Sequence, residues 1–300
     1  MAKTVKDGHT RGADKPPWRT LLEGDDGPLL LPAAHDGLTA KVIERAGFRA
    51  YQVGGFALAG ARHGFPDIDL VHYGEQSAGA RDILAASTLP VMIDADDCYG
   101  DVKNVTRTIR GYEILGASAI FFEDQLAPKR CGHMAGKEVI PAEAMVSKVK
   151  AAVAARRDPD LFLIARTDAC TPLGVDEAIR RATMYVEAGA DGIFIESPGS
   201  VAELEQIGRS LPGVPKIANM LEGGGKTPIR SPKELHAMGF AMVTYPTTIL
   251  FRVTKALEKA ADDLLAGRPM PRKEGVTMDE FEEIVGLAAW SELEEEFGKG

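Results

Sequence analysis

The chain has 300 residues, of which 45% are hydrophobic and 26% are charged, and its formal net charge is −9. This composition is typical of a globular protein. The negative charge, with Lys and Arg scattered along the chain, argues against a nucleic-acid-binding surface. No apolar run reaches the length of a membrane span, and the polar N-terminal residues lack a signal-peptide core. We therefore expect a cytoplasmic protein that does not bind membranes.

The N-terminal residues lead into a first strand and helix. Residues 1–25 are polar and interrupted by prolines, and we expect a loose arm that ends in a short helix anchored by Trp18. An apolar strand is predicted at 29–32. A helix is predicted at 36–46, with Asp36 as its N-cap.

A repeated pattern runs through the rest of the chain. Four times, a glycine that ends a helix is followed by an apolar strand, because glycine adopts the left-handed conformation of a helix end without steric cost. These segments are 46–54, 115–123, 188–196 and 238–246. Further strands are predicted at 90–96, 161–167 and 214–220, and helices at 102–115, 141–155, 176–188, 201–210 and 232–238.

The pattern contains eight apolar strands that alternate with helices. Continuous apolar strands indicate parallel strands that are buried on both faces. Eight such units in about 250 residues favour a closed (β/α)8 barrel, a TIM barrel. An open doubly wound sheet is the alternative, but no GxGxxG motif follows the first strand.

The domain boundaries follow from this pattern. We assign residues 26–266 to the barrel, and its last helix is predicted at 247–266. Residues 267–300 form a C-terminal extension with two further predicted helices, 278–287 and 289–297. A barrel does not need these helices, so we expect them to pack on a neighbouring subunit.

Acidic residues collect at the carboxyl ends of the predicted strands, where barrel enzymes have their active sites. Asp94, Asp96 and Glu123 come from consecutive strands, so their carboxylates can converge. Ionised carboxylates repel one another unless a cation lies between them, and oxygen ligands favour a hard ion such as Mg²⁺ or Mn²⁺. The alternative is that each aspartate caps the helix that follows it.

Other strand ends carry groups suited to an anionic substrate. Arg166 can grip a carboxylate with two hydrogen bonds, or it can form a structural pair with Glu196 or Asp168. Asn219 can bind the substrate or tie down a loop. The glycine pair at 54–55 can present N–H groups to an anion, although a tight turn would use the same residues.

The loop after the fourth predicted strand contains a cysteine among polar residues. Cys131 lies between Arg130 and His133, and this electropositive setting is expected to lower the thiol pKa and to make proton exchange feasible. An inert buried thiol is the alternative. Cys98 and Cys170 complete a set without zinc-type spacing or a disulfide pattern, so we expect three free thiols.

Several motifs together resemble the isocitrate lyase and phosphoenolpyruvate mutase superfamily. They are DAD at 94–96, EDQ at 123–125, KRCGH at 129–133, ARTDA at 165–169 and ANM at 218–220. The cysteine loop is similar to that of the branch containing methylisocitrate lyase and dimethylmalate lyase. Carboxyphosphonoenolpyruvate phosphonomutase carries a very similar segment. The resemblance extends from about Leu30 to the C-terminus.

The resemblance implies a role for each matching position. The metal site would hold Mg²⁺ directly through Asp96, and through water by way of Asp67, Asp94 and Glu123. The residues implied to hold substrate are Tyr51, Gly54, Gly55, Arg166, Glu196 and Asn219. The catalytic set comprises Lys129, Arg130, Cys131, His133 and Arg166, with a gating loop at 129–133 and Cys131 as the acid. A homotetramer is implied, in which paired subunits exchange their C-terminal helices.

We therefore expect a Mg²⁺-dependent carbon–carbon lyase that cleaves a 2-hydroxy di- or tricarboxylate and releases a 2-oxo acid such as pyruvate. The alternatives are a phosphonomutase, an oxaloacetate decarboxylase or hydrolase, and a non-catalytic barrel that binds a dicarboxylate. Two departures from the family pattern lie beside the expected site. Val53 replaces a small polar residue, and Asp97 and Cys98 replace the start of a Gly-aromatic-Gly turn. We expect these positions to decide which substrate is used.

Overall fold

The computed structural model describes residues 15–24 and 27–298. The loose arm predicted at the start of the chain lies mostly outside these residues. The short helix predicted to follow it is confirmed as a 3₁₀ helix at Trp18–Leu22. Trp18 is fully buried in one cluster with Leu29, at the start of the first strand, so this helix closes the N-terminal end of the barrel.

Eight parallel strands form the barrel. In chain order they are β1 Leu29–Pro32, β2 Tyr51–Val53, β3 Val91–Asp94, β4 Ala119–Glu123, β5 Phe162–Thr167, β6 Gly192–Ile195, β7 Lys216–Asn219 and β8 Met242–Tyr245. Consecutive strands from β2 to β8 pair with one another, and β8 pairs with β1. Between β1 and β2, Ala34 N–H donates to the carbonyl oxygen of Gln52 at 2.9 Å. The predicted (β/α)8 barrel is confirmed.

Helices connect and follow the strands. They are α1 Gly37–Arg45, α2 Gly55–Leu58, α3 Tyr73–Leu84, α4 Val102–Leu115, α5 Ala142–Ala155, α6 Cys170–Leu173, α7 Val175–Glu187, α8 Val201–Arg209, α9 Pro232–Met238, α10 Thr248–Leu265, α11 Met278–Val285 and α12 Leu287–Phe297. A π-helical turn at Ala59–His63 continues α2. The predicted N-cap is confirmed, because Asp36 accepts a hydrogen bond from Thr39 N at 2.7 Å. The glycine stops are confirmed as well, with φ angles between 86° and 108° at Gly47, Gly116, Gly189 and Gly239.

The helices between β2 and β3 were not among those predicted. The largest of them, α3, contains Gly74 and Gly79, and glycine weakens a helical pattern. Gly79 is needed for packing, because a Cβ there would lie 2.7 Å from Leu58 of α2. The close approach of two helices therefore explains a glycine that looks unfavourable from the sequence alone.

Side chains along each strand alternate between the barrel interior and the surrounding helices. The middle of the interior is apolar, and the rings of Phe121 and Phe194 meet edge to face there, with centroids 5.5 Å apart. Two residues further along each strand, the interior positions become polar. They include Asp94, Glu123, Arg166, Glu196 and Asn219. The fold thus collects charged groups at the carboxyl ends of the strands.

The three C-terminal helices are packed differently from the rest. No residue of α10, α11 or α12 described here is buried, and the apolar side chains of Leu257 and Leu265 are 64% and 91% exposed. α11 reaches α1, where Arg45 pairs with Glu283 at 2.9 Å. The boundary between barrel and extension at 266/267 stays a prediction, because α10, on the barrel side of it, also lacks buried residues. Within the described residues, no helix is long and apolar enough to cross a membrane.

Candidate active site

The polar strand ends and one loop form a single cluster. Its side chains come from β3, β4, β5, β6 and β7, five neighbouring strands. The segment at 129–137, here called the β4 loop, folds over them and contributes Lys129 and His133. The structure thus brings together most of the residues that the sequence singled out.

Two backbone N–H groups hold the carboxylate of Asp94. Gly55 N donates to Oδ2 at 3.1 Å, and Asp96 N donates to Oδ1 at 3.0 Å. Asp96 has a φ of 50°, which is uncommon for a residue with a side chain. A Cβ at position 55 would lie 2.9 Å from Oδ1 of Asp96, so glycine is required beside these two acids.

Several carboxylate oxygens in the cluster lack a hydrogen-bond donor. In the part of the chain that the structure describes, both Oδ atoms of Asp96 and Oε1 of Glu123 are buried without a hydrogen bond. The ammonium group of Lys129 does lie in ion-pair contact with Asp96 and with Asp67. Buried carboxylate oxygens of this kind fit a hard divalent cation.

The acids do not converge as closely as the sequence analysis expected. Across residues 15–24 and 27–298, no three His, Cys, Asp or Glu side chains are placed to hold one metal ion together. The register explains this result, because Asp94 and Glu123 end neighbouring strands at different heights, with Asp94 opposite Phe121. A metal bound directly by one aspartate and through water by the others fits this geometry.

Burial raises the pKa of Asp94, Asp96 and Glu123. The pKa of Asp96 rises to about 7, although Lys129 opposes the shift. Burial by itself would lower the pKa of Lys129, but the surrounding carboxylates raise it by more. Lys129 and Arg166 therefore supply the positive charge that the acids require.

Arg166 is held by acids on three sides. Its Nε and Nη2 donate to the two carboxylate oxygens of Asp168 at 2.8 and 3.1 Å. Glu123 and Glu196 lie 3.2 and 3.5 Å from the guanidinium. The structural pair with Asp168, one of the two interpretations of the sequence, is therefore confirmed. Asp168 therefore occupies the Nε–Nη2 edge of the guanidinium.

Glu196, His133 and Asn219 form a second hydrogen-bonded group. Asn219 Nδ2 donates to Glu196 Oε2 at 3.0 Å, and His133 Nε2 lies 3.3 Å from Glu196 Oε1. Lys226 N–H donates to His133 Nδ1 at 2.9 Å, so a neutral imidazole carries its proton on Nε2. Burial would raise the pKa of Glu196, but Arg166 and His133 lower it well below its usual range. Glu196 is therefore ionised at neutral pH.

The β4 loop is closed over the site. Cys131 N–H donates to the carbonyl oxygen of Asp67 at 3.1 Å, and Ser197 Oγ donates to that of Gly132 at 2.8 Å. At position 132 a Cβ would lie 2.5 Å from Nη2 of Arg166. Glycine is thus required where the loop crosses the arginine.

The thiol of Cys131 keeps its proton in this closed arrangement. Burial raises its pKa to about 11, against the opposing effect of the His133 backbone N–H. The expected lowering of the pKa is therefore wrong, because the closed loop withdraws most of the thiol from water. Arg130, which was expected to tune the thiol, is exposed. Its backbone N–H and carbonyl bind the side chain of Gln125 at 3.0 and 2.8 Å, so Arg130 shapes the loop instead.

The side chains of β2 face other directions than expected. Tyr51 and Val53 lie in the apolar layer between strands and helices, in one cluster with Ile43 of α1. Burial, together with the carboxylate of Glu44 on α1, raises the pKa of Tyr51. The Tyr51 side chain therefore lies on the helix side of β2, away from the cluster of acids, whereas the expectation was that Tyr51 holds substrate there. Gln52, which the sequence analysis missed, faces the interior, and its buried Nε2 has no partner within the described residues.

Asp97 and Cys98, the second departure from the family pattern, lie in a constrained turn after β3. Cys98 and Tyr99 have φ angles of 64° and 60°, which are uncommon for residues with side chains. Cys98 is fully buried in the layer beneath the helices. Lys148 of α5 donates to the carbonyl oxygen of Asp97 at 2.8 Å. These contacts hold the turn from the side of the helices. Asp97 and Cys98 therefore affect the backbone that carries Asp96.

Lys137, at the end of the β4 loop, was also missed. Its side chain is completely buried and donates to Asp168 at 2.7 Å. The two residues are 31 positions apart in the chain, so nothing local in the sequence indicates the pair.

Fold and site together define a (β/α)8-barrel enzyme with a buried cluster of acids and cations at the carboxyl ends of its strands. The chain belongs to the phosphoenolpyruvate phosphomutase family, which it matches over residues 19–265. The resemblance to the isocitrate lyase and phosphoenolpyruvate mutase superfamily is thereby confirmed.

Similar proteins of known activity include two lyases. The chain is 43% identical over 277 residues to 2,3-dimethylmalate lyase of Eubacterium barkeri, which covers 91% of this chain and 94% of that protein. It is 40% identical over 242 residues to 2-methylisocitrate lyase of Bacillus subtilis (strain 168), with coverage of 81% and 78%. The chain therefore shares most of its length with lyases of this superfamily.

Solved structures of the same fold include two hydrolases. Oxaloacetate acetylhydrolase in complex with 3,3-difluorooxalacetate gives a TM-score of 0.89 at 30% identity, over 95% of this chain and 97% of that chain. Phosphonopyruvate hydrolase in complex with oxalate and Mg²⁺ gives a TM-score of 0.81 at 29% identity, over 91% and 95%. The barrel and its extension are thus shared with enzymes of several activities.

We predict that Cys131 reacts slowly with iodoacetamide at neutral pH and that the rate keeps rising towards a pH of about 11. The thiolate is the reacting form, and a raised pKa keeps the thiol protonated below that value. The rate is measured by mass spectrometry across this pH range. Cys131→Ser, which retains the buried Cys98 and Cys170, gives the background. A rate that levels off near the ordinary thiol pKa of about 8.5 contradicts the prediction.

Proposed function

We propose that this enzyme is a Mg²⁺-dependent carbon–carbon lyase that cleaves a 2-hydroxy di- or tricarboxylate of the 2,3-dimethylmalate or 2-methylisocitrate type. The products are a 2-oxo acid such as pyruvate and a second carboxylate. The observation that carries the proposal is the position of Cys131, in a closed loop whose next residue, Gly132, lies against Arg166. A lyase of this kind must protonate a carbanion, and a buried thiol that retains its proton is suited to that step.

In this proposal, Arg166 and Asn219 bind the substrate. The Nη1 side of Arg166 takes a carboxylate, since Asp168 occupies the other edge. Asn219 is oriented by Glu196 at 3.0 Å and by the hydroxyl of Thr244, which donates to Oδ1 at 3.1 Å. When bound, Mg²⁺ lowers the pKa of the substrate hydroxyl and stabilises the developing 2-oxo acid. The substrate is therefore held by fixed groups before the bond breaks.

Cleavage follows retro-aldol chemistry. The substrate hydroxyl gives its proton to Glu123, whose Oε1 accepts no hydrogen bond within the described residues. The electron pair left on oxygen forms the carbonyl group of the 2-oxo acid, and the carbon–carbon bond breaks. The second fragment takes that bonding pair as an enolate. Cys131 protonates its carbon, while the closed loop excludes water.

Two other reactions remain as alternatives within the family. The matched family is that of phosphoenolpyruvate phosphomutase, which supports chemistry at phosphorus. The likeness to oxaloacetate acetylhydrolase supports cleavage of oxaloacetate. Substrate comparison separates all three.

The test is a panel of 2,3-dimethylmalate, 2-methylisocitrate, oxaloacetate and phosphonopyruvate with Mg²⁺, followed by product analysis. We expect pyruvate or a related 2-oxo acid from one of the first two. Cys131→Ser is expected to lower kcat by about 10² to 10⁴-fold, because serine is a much weaker acid. Cys170→Ala removes a buried thiol that no step uses and serves as the control. Turnover limited to oxaloacetate or the phosphonate, or unchanged turnover in Cys131→Ser, contradicts the proposal.

For the metal, we propose Asp96 as the direct ligand of Mg²⁺. Asp67, Asp94 and Glu123 would reach the ion through water, and Mn²⁺ is the alternative ion. The oxygens of Asp96 and Glu123 that accept no hydrogen bond within the described residues support this assignment.

Isothermal titration with Mg²⁺ tests this site without an activity assay. We expect Asp96→Asn to weaken binding by more than about tenfold, and Asp94→Asn by about 10- to 100-fold if it acts through bound water. Asp158→Asn, at an exposed aspartate far from the site, is the matched control. Wild-type affinity in Asp96→Asn shows that the ion binds elsewhere.

We propose that the protein forms a homotetramer, a dimer of dimers, in which α10, α11 and α12 pack on a neighbouring subunit. In the single chain these helices have no buried residues. Leu257 and Leu264 are one heptad apart on α10, so they share a face, and they are 64% and 78% exposed. Exposed apolar surface of this extent supports an association surface.

Light scattering on the purified protein tests the assembly. We expect a mass about four times that of the 32.1 kDa chain. The double substitution Leu257→Lys and Leu264→Lys is expected to give a smaller species, because it places charges in the apolar contact. Lys233→Glu, on the exposed side of α9, is the charge-changing control. A monomeric wild-type protein rules the proposal out.

We place this activity in the cytoplasm. All three cysteines, Cys98, Cys131 and Cys170, are unpaired. Disulfides form mainly in oxidising compartments, where an acid thiol is also at risk of oxidation.

A further inference from the structure

Asp124 follows Glu123 in the chain but faces the other way. Successive side chains of a strand alternate, so Glu123 faces the barrel interior and Asp124 faces the surrounding helices. Asp124 is fully buried, and the mechanism above gives it no task. A buried carboxylate is stable only when it is hydrogen-bonded and paired, so its partners indicate its purpose.

The carboxylate of Asp124 accepts four hydrogen bonds, three from side chains and one from a backbone N–H. Tyr185 and Arg181 of α7 donate to Oδ2 at 2.7 and 3.1 Å. Thr167 Oγ1 donates to the same oxygen at 2.8 Å. The backbone N–H of Asp168 donates to Oδ1 at 2.9 Å. Asp124 therefore joins α7 to the carboxyl end of β5.

Asp168 connects Asp124 to two positively charged side chains of the site, Arg166 and Lys137. Its carboxylate binds Nε and Nη2 of Arg166 at 2.8 and 3.1 Å, and Nζ of Lys137 at 2.7 Å. The side chains of Asp168 and Lys137 are completely buried. One carboxylate thus orients the substrate-binding arginine and also holds the end of the loop that carries Cys131.

The chain beyond the β4 loop is attached to the same group. Ile140 N–H donates to the carbonyl oxygen of Asp124 at 2.9 Å. Arg181 Nη1 donates to the carbonyl oxygen of Ile140 at 2.8 Å, and its Nε pairs with Glu177 at 2.9 Å. α7 therefore holds both β5 and the returning loop through Asp124 and Arg181.

We propose that Asp124 is a positioning residue which, with Arg181 and Tyr185, fixes Asp168 so that Arg166 is oriented for substrate and the β4 loop is held closed. Asp124 reaches Arg166 through Asp168, and it reaches the chain after the β4 loop through Ile140 and Arg181. The kinetic part of this inference rests on the proposed lyase function. The part that concerns the loop does not.

The kinetic test uses Asp124→Asn and Arg181→Met. We expect kcat/KM to fall by about 10²-fold, because a displacement of about 1 Å in a substrate-positioning group has effects of this size. Arg180→Met is the matched control. Arg180 is the neighbour of Arg181 on α7 and pairs with Glu177 at 2.7 Å, but it does not reach Asp124. We expect it to stay within about twofold of the wild type.

A second readout follows the loop without any substrate. Trypsin can cleave after Arg130, which is exposed in the β4 loop, and after Arg272, which is exposed between α10 and α11. In Asp124→Asn we expect the ratio of cleavage at Arg130 to cleavage at Arg272 to rise by about tenfold, because the end of the loop is released. Arg180→Met should leave the ratio unchanged.

The possible outcomes distinguish a positioning role of Asp124 from a purely stabilising role, and they distinguish both from a failure of the proposed lyase function. If Asp124→Asn does not fold, the same measurements on Arg181→Met and Tyr185→Phe test the positioning role, since each variant removes one hydrogen-bond partner of Asp124. A lower Tm with wild-type kcat/KM and a wild-type trypsin ratio below that temperature would overturn the inference. If the wild-type enzyme cleaves no 2-hydroxy acid, the proposed function fails, and the trypsin ratio alone decides the role of Asp124.

Discussion

Charge balance in a buried space is the constraint on which the rest of this structure depends. Closing eight parallel strands into a ring brings their carboxyl ends together, and several of those ends carry carboxylates. Ionised carboxylates that are removed from water need cations beside them. Arg166 contacts Glu123, Asp168 and Glu196, while Lys129 contacts a further pair of acids. The barrel therefore makes the site acidic, and the loops complete it with positive charge.

The same balance determines where the β4 loop lies. Lys129 at its start pairs with Asp67 and Asp96, and Lys137 at its end pairs with Asp168. Opening the loop withdraws the Lys129 ammonium from buried acids, so closure and neutralisation are coupled. A divalent cation bound at Asp96, as proposed above, would compete with Lys129 for that carboxylate and would link metal binding to the position of the loop that carries Cys131.

The fold could be predicted because the sequence patterns that indicate it are local. Several features of the site could not, because they depend on contacts between segments that are far apart in the chain. Glycine stops and apolar runs are visible within ten residues, and they sufficed for the barrel and for the acids at its strand ends. Whether Tyr51 or Gln52 faces the interior depends on the register with β3. The pKa of Cys131 depends on burial by a closed loop. Gly79 is explained only by the contact of its helix with Leu58.

The register between β2 and β3 also determines which side chains near the site face the barrel interior. Val53 faces the helices, and Cys98 is buried in that same layer, so these departures act on the backbone of the site. Gln52 lies opposite Met92, one interior position below Asp94, and its amide nitrogen Nε2 has no hydrogen-bond partner among the described residues. An unpaired buried amide costs about 1 to 3 kcal/mol, which a ligand oxygen recovers and a methyl group does not. The side chain that this register turns towards the barrel interior is therefore that of Gln52, whereas Val53 and Cys98 act on the site through its backbone.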